Sequence, residues 1–285
     1  MPAAPLMHPE QPTETAADLP RGDDSPPPWW SWVAYRLFCT VTLGVYVIVF
    51  SLVDFEEAMY YTSQGWMWVL GTVLTLRHQT LGMTLGYHRL YSHAAYRARR
   101  WFECLIAYSC AVSGQGSMSW WAGNHRYHHA HCETADDPHS PVTHPVWYAW
   151  VGWTYDPRHA RRGVRLRYPE VVWLDRWGFL MPWLEWSLVL GLSGSIVFAT
   201  YTTLLPAWIA TLFTLWFNIQ AHRGVPDEKG CAASTHWLAY ALGEWQHRDH
   251  HLYPGKARRP GADLPYWLVL WPMQRLGVVW DLRER

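Results

Sequence analysis

The chain has 285 residues, of which 50% are hydrophobic and 16% charged, with 23 Lys+Arg against 23 Asp+Glu. That apolar share excludes a disordered or collagen-like polymer over most of the length, and a formal net charge of zero gives no sign of a nucleic-acid partner. Five cysteines (Cys39, Cys104, Cys110, Cys132, Cys231) form no CxxC pair, so neither a disulfide framework nor a thiolate zinc site is expected.

Residues 1–28 hold eight prolines and little apolar patterning. They read as a disordered tail ahead of one domain over 29–285, with no secretory leader pattern. Apolar runs of membrane-spanning length, ~20 residues, follow at about 35–53, 66–87, 184–201 and 205–221. The second run contains Arg77, which is expected to turn toward the cytoplasmic side or a buried partner because a lipid-facing charge is costly. The last two runs are joined by a few residues around Pro206, where a tight helical hairpin is expected with Pro206 at a tolerated first-turn position. A fifth run, 101–121, is interrupted at 113–117 and reads as an interfacial or re-entrant helix. The connections at 54–65 and near Pro206 carry no Lys or Arg, whereas the segment 87–183 and the chain after His222 carry most of them. By the positive-inside rule, both termini and the middle segment share the cytoplasmic face. The expected fold is therefore all-α: four transmembrane helices and a cytoplasmic helical cap.

The 16 histidines concentrate in that cap. His88-Arg-Leu-Tyr-Ser-His93 is an HxxxxH pair, and His125-Arg-Tyr-His128-His129 and His247-Arg-Asp-His250-His251 are two HxxHH motifs. On a helix, i, i+3 and i+4 lie on one face, so each HxxHH aims three imidazoles the same way. Asn218 and His222 share a stripe that Thr214 extends. His88 and His93 are about 140° apart on an ideal α-helix and converge only if the helix ends or bends between them. Nine imidazoles have no use in an ordinary core, where each needs a hydrogen-bond partner. They exceed one tetrahedral site and suit Zn, Cu, Fe or Ni, so two metals are implied. Glu133, Asp136, Asp137, Glu244 and Asp249 are placed to hold imidazole tautomers.

At these residues the chain resembles the integral-membrane fatty acyl desaturases of the stearoyl-CoA desaturase-like type, from about residue 66 to the C-terminus. The resemblance rests on Gly86-Tyr-His-Arg-Leu-Tyr-Ser-His93, Gln115-Gly-Ser, Trp121, His125-Arg-Tyr-His-His129, Glu133-Thr134 and Asp137-Pro-His139. Val151-Gly-Trp153, Asn218 with His222, Gly243-Glu244 before the last box, and Leu276-Gly-Val-Val-Trp-Asp281 extend it. It implies a di-iron centre held by His88, His93, His125, His128, His129, His222, His247, His250 and His251, with Asn218 reaching one iron through water. It further implies an O2-dependent reaction in which a separate donor (ferredoxin, rubredoxin or cytochrome b5) supplies two electrons. Two hydrogens leave adjacent methylenes of a long-chain acyl-CoA or acyl-lipid, near C9, giving a cis double bond and water. The acyl tunnel would bend beside Trp121 and Thr214, with Gln115 nearby, and end along the second span at Leu76 and Thr80, which share a face of an α-helix. The match is imperfect where animal acyl-CoA desaturases carry Arg-Asp before the second box: here the pair is Gly123-Asn124. Trp150 stands where many relatives place a histidine.

Two other readings share these residues. A fatty acyl hydroxylase on the same scaffold would begin with the same hydrogen abstraction. A His-rich metal transporter would need polar ligands near the middle of several spans, whereas the boxes fall at or beyond the cytoplasmic boundary.

Overall fold

The computed structural model describes residues 27–283 apart from 229 and 236; the tail expected at the N-terminus lies, through residue 26, outside the described residues. The chain is mostly helical. Helices α1 (Trp29–Phe38) and α2 (Leu43–Val53) follow one another through a 3-10 turn at Thr40–Thr42. A short α3 (Phe55–Ser63), capped by the Asp54 side chain, leads to α4 (Gly65–Arg77). Helix α4 runs without a break into a π-helix, His78–Ser92. After strand β1 (Arg97–Ala98) come α5 (Arg100–Ser113), α6 (Met118–His131), the short α7 (Val146–Trp150) and α8 (Pro169–Trp177). Helices α9 (Met181–Ser193), α10 (Ile196–Thr202), α11 (Leu204–Ala221), α12 (His247–Leu252) and α13 (Trp271–Arg275) complete the set. Strand β2 (Val279–Trp280) pairs antiparallel with β1.

The π-helix and α5 pack closely. Gly82 and Gly86, four apart, leave space that Ser109 and Ser113 fill at the first and Ile106 and Cys110 at the second. Small residues on both sides let two backbones approach. The main buried cluster, including Leu85, Tyr87, Tyr96, Ile106, Met118 and Trp120, gathers around this pair. The interruption expected at 113–117 is a tight corner: Gly114 adopts φ +65° and closes α5, and Ser117 caps α6 by accepting from the Trp120 N–H. Asp175 of α8 pins the start of α6, accepting from the Ser119 N–H (2.8 Å) and hydroxyl (2.5 Å).

Among the described residues, two helical stretches are long and apolar enough to cross a membrane, Trp29–Val53 and Ile196–Ala221, with mean hydropathy 2.0 and 1.6. Large apolar side chains are exposed on α2 (Ile48, Val49, Leu52), α4 (Trp68, Val69, Val73), α9 (Leu184, Leu188, Leu192) and α11 (Ile209). The hairpin expected at Pro206 is displaced. The corner falls at Gly194, with φ +70°, and at Ser195, whose side chain caps α10. Pro206 sits, as expected, in the first turn of α11, where its missing N–H costs no helical bond. Arg77 finds a partner across helices: its guanidinium forks onto Glu185 of α9 (3.3 and 3.0 Å), which also accepts from the Tyr108 hydroxyl (3.0 Å).

Candidate metal centre

The HxxxxH pair converges where the π-winding ends: Ser92 is its last residue and His93 its C-terminal cap, so the helix does end between the two histidines. Bonds in a π-helix run from residue i to i+5, so side chains five apart stack on one face. The His93 N–H donates to the His88 carbonyl (3.2 Å), and the two rings lie 5.0 Å apart, centre to centre. The HxxHH motifs fall on α6 and α12, as i, i+3, i+4 spacing requires. His222 ends α11. Three helices and the π-segment thus bring all nine histidines to one place.

They divide in two. The nitrogens of His88, His93, His125 and His250 lie within 4.8 Å of one another, as do those of His128, His222, His247 and His251. His129 stands between the groups, its Nε2 3.1 Å from His125 Nε2 and 2.8 Å from His250 Nε2.

Carboxylates behind the rings set their orientation. His128 Nδ1 lies 2.9 Å from both oxygens of Asp137, His222 Nδ1 2.8 Å from Glu133, and His88 Nδ1 3.1 Å from Glu244. An Nδ1–H donated outward leaves the Nε2 lone pair facing the centre. Those inward faces meet one another: His88 Nε2 is 3.0 Å from His250 Nε2, and His222 Nε2 is 2.9 Å from His247 Nε2. His128 Nε2 is buried with no hydrogen-bond partner among the described residues. Converging lone pairs and an orphaned buried nitrogen fit a site for metal cations. His250 is arranged differently, because its Nδ1 accepts from the Arg259 guanidinium (2.9 Å). Its Nε2 therefore carries the hydrogen of the neutral ring, which a metal there would displace. Burial, reinforced by the neighbouring rings, pushes His125, His128, His129, His247, His250 and His251 well below the usual histidine range. The rings stay neutral near pH 7, the form that binds metal.

Of the five acids expected behind the rings, Glu133, Asp137 and Glu244 take that place. Asp249 instead pairs with Lys256 (3.1 Å), and Asp136 is exposed. Sequence reading missed Ser140, which donates to the second oxygen of Glu133, and Arg259. It also missed the buried Arg89, which pairs with Asp263 (2.9 Å) and donates to the Ala257 carbonyl (2.7 Å). The expected absence of a disulfide is corrected: Cys132 and Cys231 are bonded, 99 residues apart in sequence. No local spacing rule reports a pair that only the tertiary fold brings together.

The residues expected along an acyl path lie in two places. Trp121 stacks on His125, ring centres 4.8 Å apart, directly beside the histidines. Thr214 and Gln115 meet, the Gln115 amide donating to Thr214 Oγ1 (3.2 Å), and Gln79, which the sequence did not flag, donates to the same oxygen (3.2 Å). Leu76 lines an apolar cavity of about 430 Å3 with Met67, Trp68, Thr72, Leu205 and Ile209. Thr80 is half-buried and is not among the lining residues; it follows the switch to π-winding at His78. Asn218 is half-buried, one turn before His222. Gly123 and Asn124 press against the chain's own 159–163 segment. A Cβ at Gly123 would fall 2.6 Å from the Gly163 nitrogen. Asn124 donates to the His159 carbonyl (3.2 Å) and accepts from Arg162 (3.2 Å).

The fatty acid desaturase family model matches residues 63–269. The "sn-2 palmitoyl-lipid 9-desaturase" of Nostoc sp. is 32% identical over 215 residues, 69% of this chain and 73% of that protein. The "sn-1 stearoyl-lipid 9-desaturase" of Anabaena variabilis is 26% identical over 277 residues, 90% of this chain and 95% of its own. The "Probable acyl-CoA desaturase" of Schizosaccharomyces pombe is 29% identical over 249 residues, 81% of this chain and half of its own. With the histidine boxes gathered on one metal-binding face and the family match spanning most of the chain, the protein belongs to the fatty acid desaturases, oxidoreductases that act on acyl groups.

Proposed function

We propose that the protein introduces a cis double bond near C9 of a saturated long-chain acyl group, carried on CoA or on a membrane lipid. The reaction consumes O2, two electrons from a separate donor and two protons, and yields two waters. The observation that carries this reading is the division of the histidines into two groups of four with His129 between them, the donor set for two iron ions, with Asn218 as a water-bridged contact. Bound iron supplies the O2 activation needed to break unactivated C–H bonds.

The chain's own contribution is placement. Trp121, stacked on His125, would form a wall beside the histidines that fixes one methylene pair against them. The Gln79–Thr214–Gln115 knot would fix the tunnel wall one layer further in. Leu76 and its cavity would receive the methyl end of the acyl chain, with Thr80 at its approach. A buried, neutral histidine centre keeps water away from the reacting carbons.

We place four spans in the membrane, with both termini and the metal centre on the cytoplasmic side. The exposed apolar stripes of α2, α4, α9 and α11 support this, because faces of that size are rare on soluble monomers. The Lys/Arg-free outer connections support the sidedness. Expression in a desaturase-deficient host, with double-bond mapping of its lipids by mass spectrometry, tests the function. Acyl chains lighter by two hydrogens with the bond near C9 are expected. Chains heavier by one oxygen would establish the hydroxylase instead, and unchanged lipids would refute both.

A further inference from the structure

The disulfide lies against the outer faces of two of the clustered imidazoles. Cys132 caps the C-terminus of α6, immediately beyond the second box. Cys231 sits in the connection between α11 and α12, on a turn closed by Asp227. The Cys231 N–H donates to Asp227 Oδ1 (3.0 Å), and the Cys231 carbonyl accepts from the Asp227 N–H (2.9 Å). The two Cα atoms are 5.2 Å apart. Cys132 Sγ is 3.8 Å from His222 Nδ1, and Cys231 Sγ is 3.4 Å from His251 Nδ1. Both rings turn Nε2 the other way, toward His247 Nε2 at 2.9 and 3.2 Å. Two sulfurs and two nitrogens therefore face each other within 4.8 Å, on the side of these rings that the histidine centre does not use.

We propose that, when the disulfide is reduced, Cys132, Cys231, His222 Nδ1 and His251 Nδ1 form a second metal site of the zinc class, back to back with the histidine centre. Two thiolates and two imidazoles are a tetrahedral zinc set; bonds of about 2.0–2.3 Å put its donors roughly 3.5 Å apart, so this group contracts by about 1 Å at its widest. The chemistry balances with a dithiol as reductant. The dithiol becomes its own disulfide, the Cys132–Cys231 bond takes two electrons, and each sulfur takes one proton. Zinc then replaces those two protons, and the hydrogen on His222 Nδ1 moves to its Nε2, so His222 cannot ligate through both nitrogens as a neutral ring. To enter, zinc must take His222 Nδ1 from Glu133, which holds it at 2.8 Å. The second site thus competes with the orientation that turns His222 inward, and the disulfide is the form that leaves both rings to the histidine centre.

The test uses the full-length protein in detergent, with the metal it carries on purification. Half is kept as the disulfide and half is reduced and freed of reductant; both receive zinc and are passed through gel filtration. The reduced half should retain one further zinc per chain. Zinc should also protect Cys132 and Cys231 from alkylation, read by peptide mass spectrometry. Cobalt in place of zinc should give a thiolate charge-transfer band only in the reduced half. Equal zinc in both halves, or alkylation that zinc does not slow, overturns the site, and zinc held by the histidines alone would give that result. Cys132→Ser should abolish the extra zinc; if that variant folds poorly, the alkylation of the unsubstituted protein decides. A failure of the desaturase reading would appear in the lipid analysis and leave the thiol readout untouched.

Discussion

Asp137→Asn isolates what the carboxylates behind the rings contribute. Asp137 is fully buried and accepts three donors. They are the His128 ring at 2.9 Å, the Glu133 N–H at 3.0 Å and the His139 N–H at 3.2 Å. Asparagine keeps the shape but offers one oxygen and one amide. Whichever way it turns, one buried backbone N–H faces an NH2, which costs about 1–3 kcal/mol. His128 also loses an anionic partner, and removal of such a partner weakens metal binding by roughly 10–100-fold, about 1.4–2.7 kcal/mol. The assay is metal retention in detergent against rising chelator, read by metal analysis. It is paired with thermal unfolding of the metal-free protein. The variant should lose metal at about one-tenth to one-hundredth of the chelator concentration that strips the parent, and its metal-free form should unfold at lower temperature. Asp249→Asn is the control, because Asp249 pairs with Lys256 away from the rings, and should behave as the parent. Identical chelator curves for Asp137→Asn and the parent would refute the assignment of His128 as a ligand held by Asp137.

His128→Ala should lower bound metal and abolish turnover while membrane insertion, which rests on the apolar helices, is unchanged; near-parental turnover would remove His128 from the ligand set. Ser63→Cys should react with an impermeant thiol reagent outside sealed right-side-out vesicles, and exposed Ala135→Cys should not; the reverse pattern inverts the topology. Leu76→Trp should fill part of the apolar cavity and shift products toward shorter acyl chains, whereas an unchanged C16 to C18 ratio in the active variant would detach the cavity from the acyl path. Gly123→Ala forces a methyl against the Gly163 backbone and should cost about 1–3 kcal/mol by overpacking, visible as a lower unfolding temperature; an unchanged temperature would show that the 159–163 segment yields freely.

The histidine boxes were legible because HxxHH has the period of an α-helix, and α6 and α12 are helices of ordinary winding. The HxxxxH pair was legible only as a problem. The winding that solves it is not encoded in the apolar period, and the segment packs through Gly82 and Gly86 onto α5. Pro206 was legible as a first-turn residue, but the corner was put beside it, whereas Ser193-Gly194-Ser195 held the stronger corner signal, a left-handed glycine followed by a capping serine. Arg77 was expected to turn to the cytoplasmic side or a buried partner; it pairs with Glu185, half-buried and 108 residues away, beyond any local rule. The same distance blindness hid Gln79 at Thr214 and Cys231 at Cys132.

Arg89, one residue after the first ligand, is locked by Asp263 and the Ala257 carbonyl, and β1 pairs with β2 almost at the end of the chain. The first box is therefore finished by a stretch made much later, residues 257–280. His88 and His250 are 162 positions apart, so at about 5–20 residues per second the ribosome leaves the first imidazole waiting roughly 8–30 s for its partner. A chain stopped before Asp263 has every histidine and still lacks the clamp on the helix that carries His88. A metal ion captured before that stretch is made would sit on half a site with nothing to close over it.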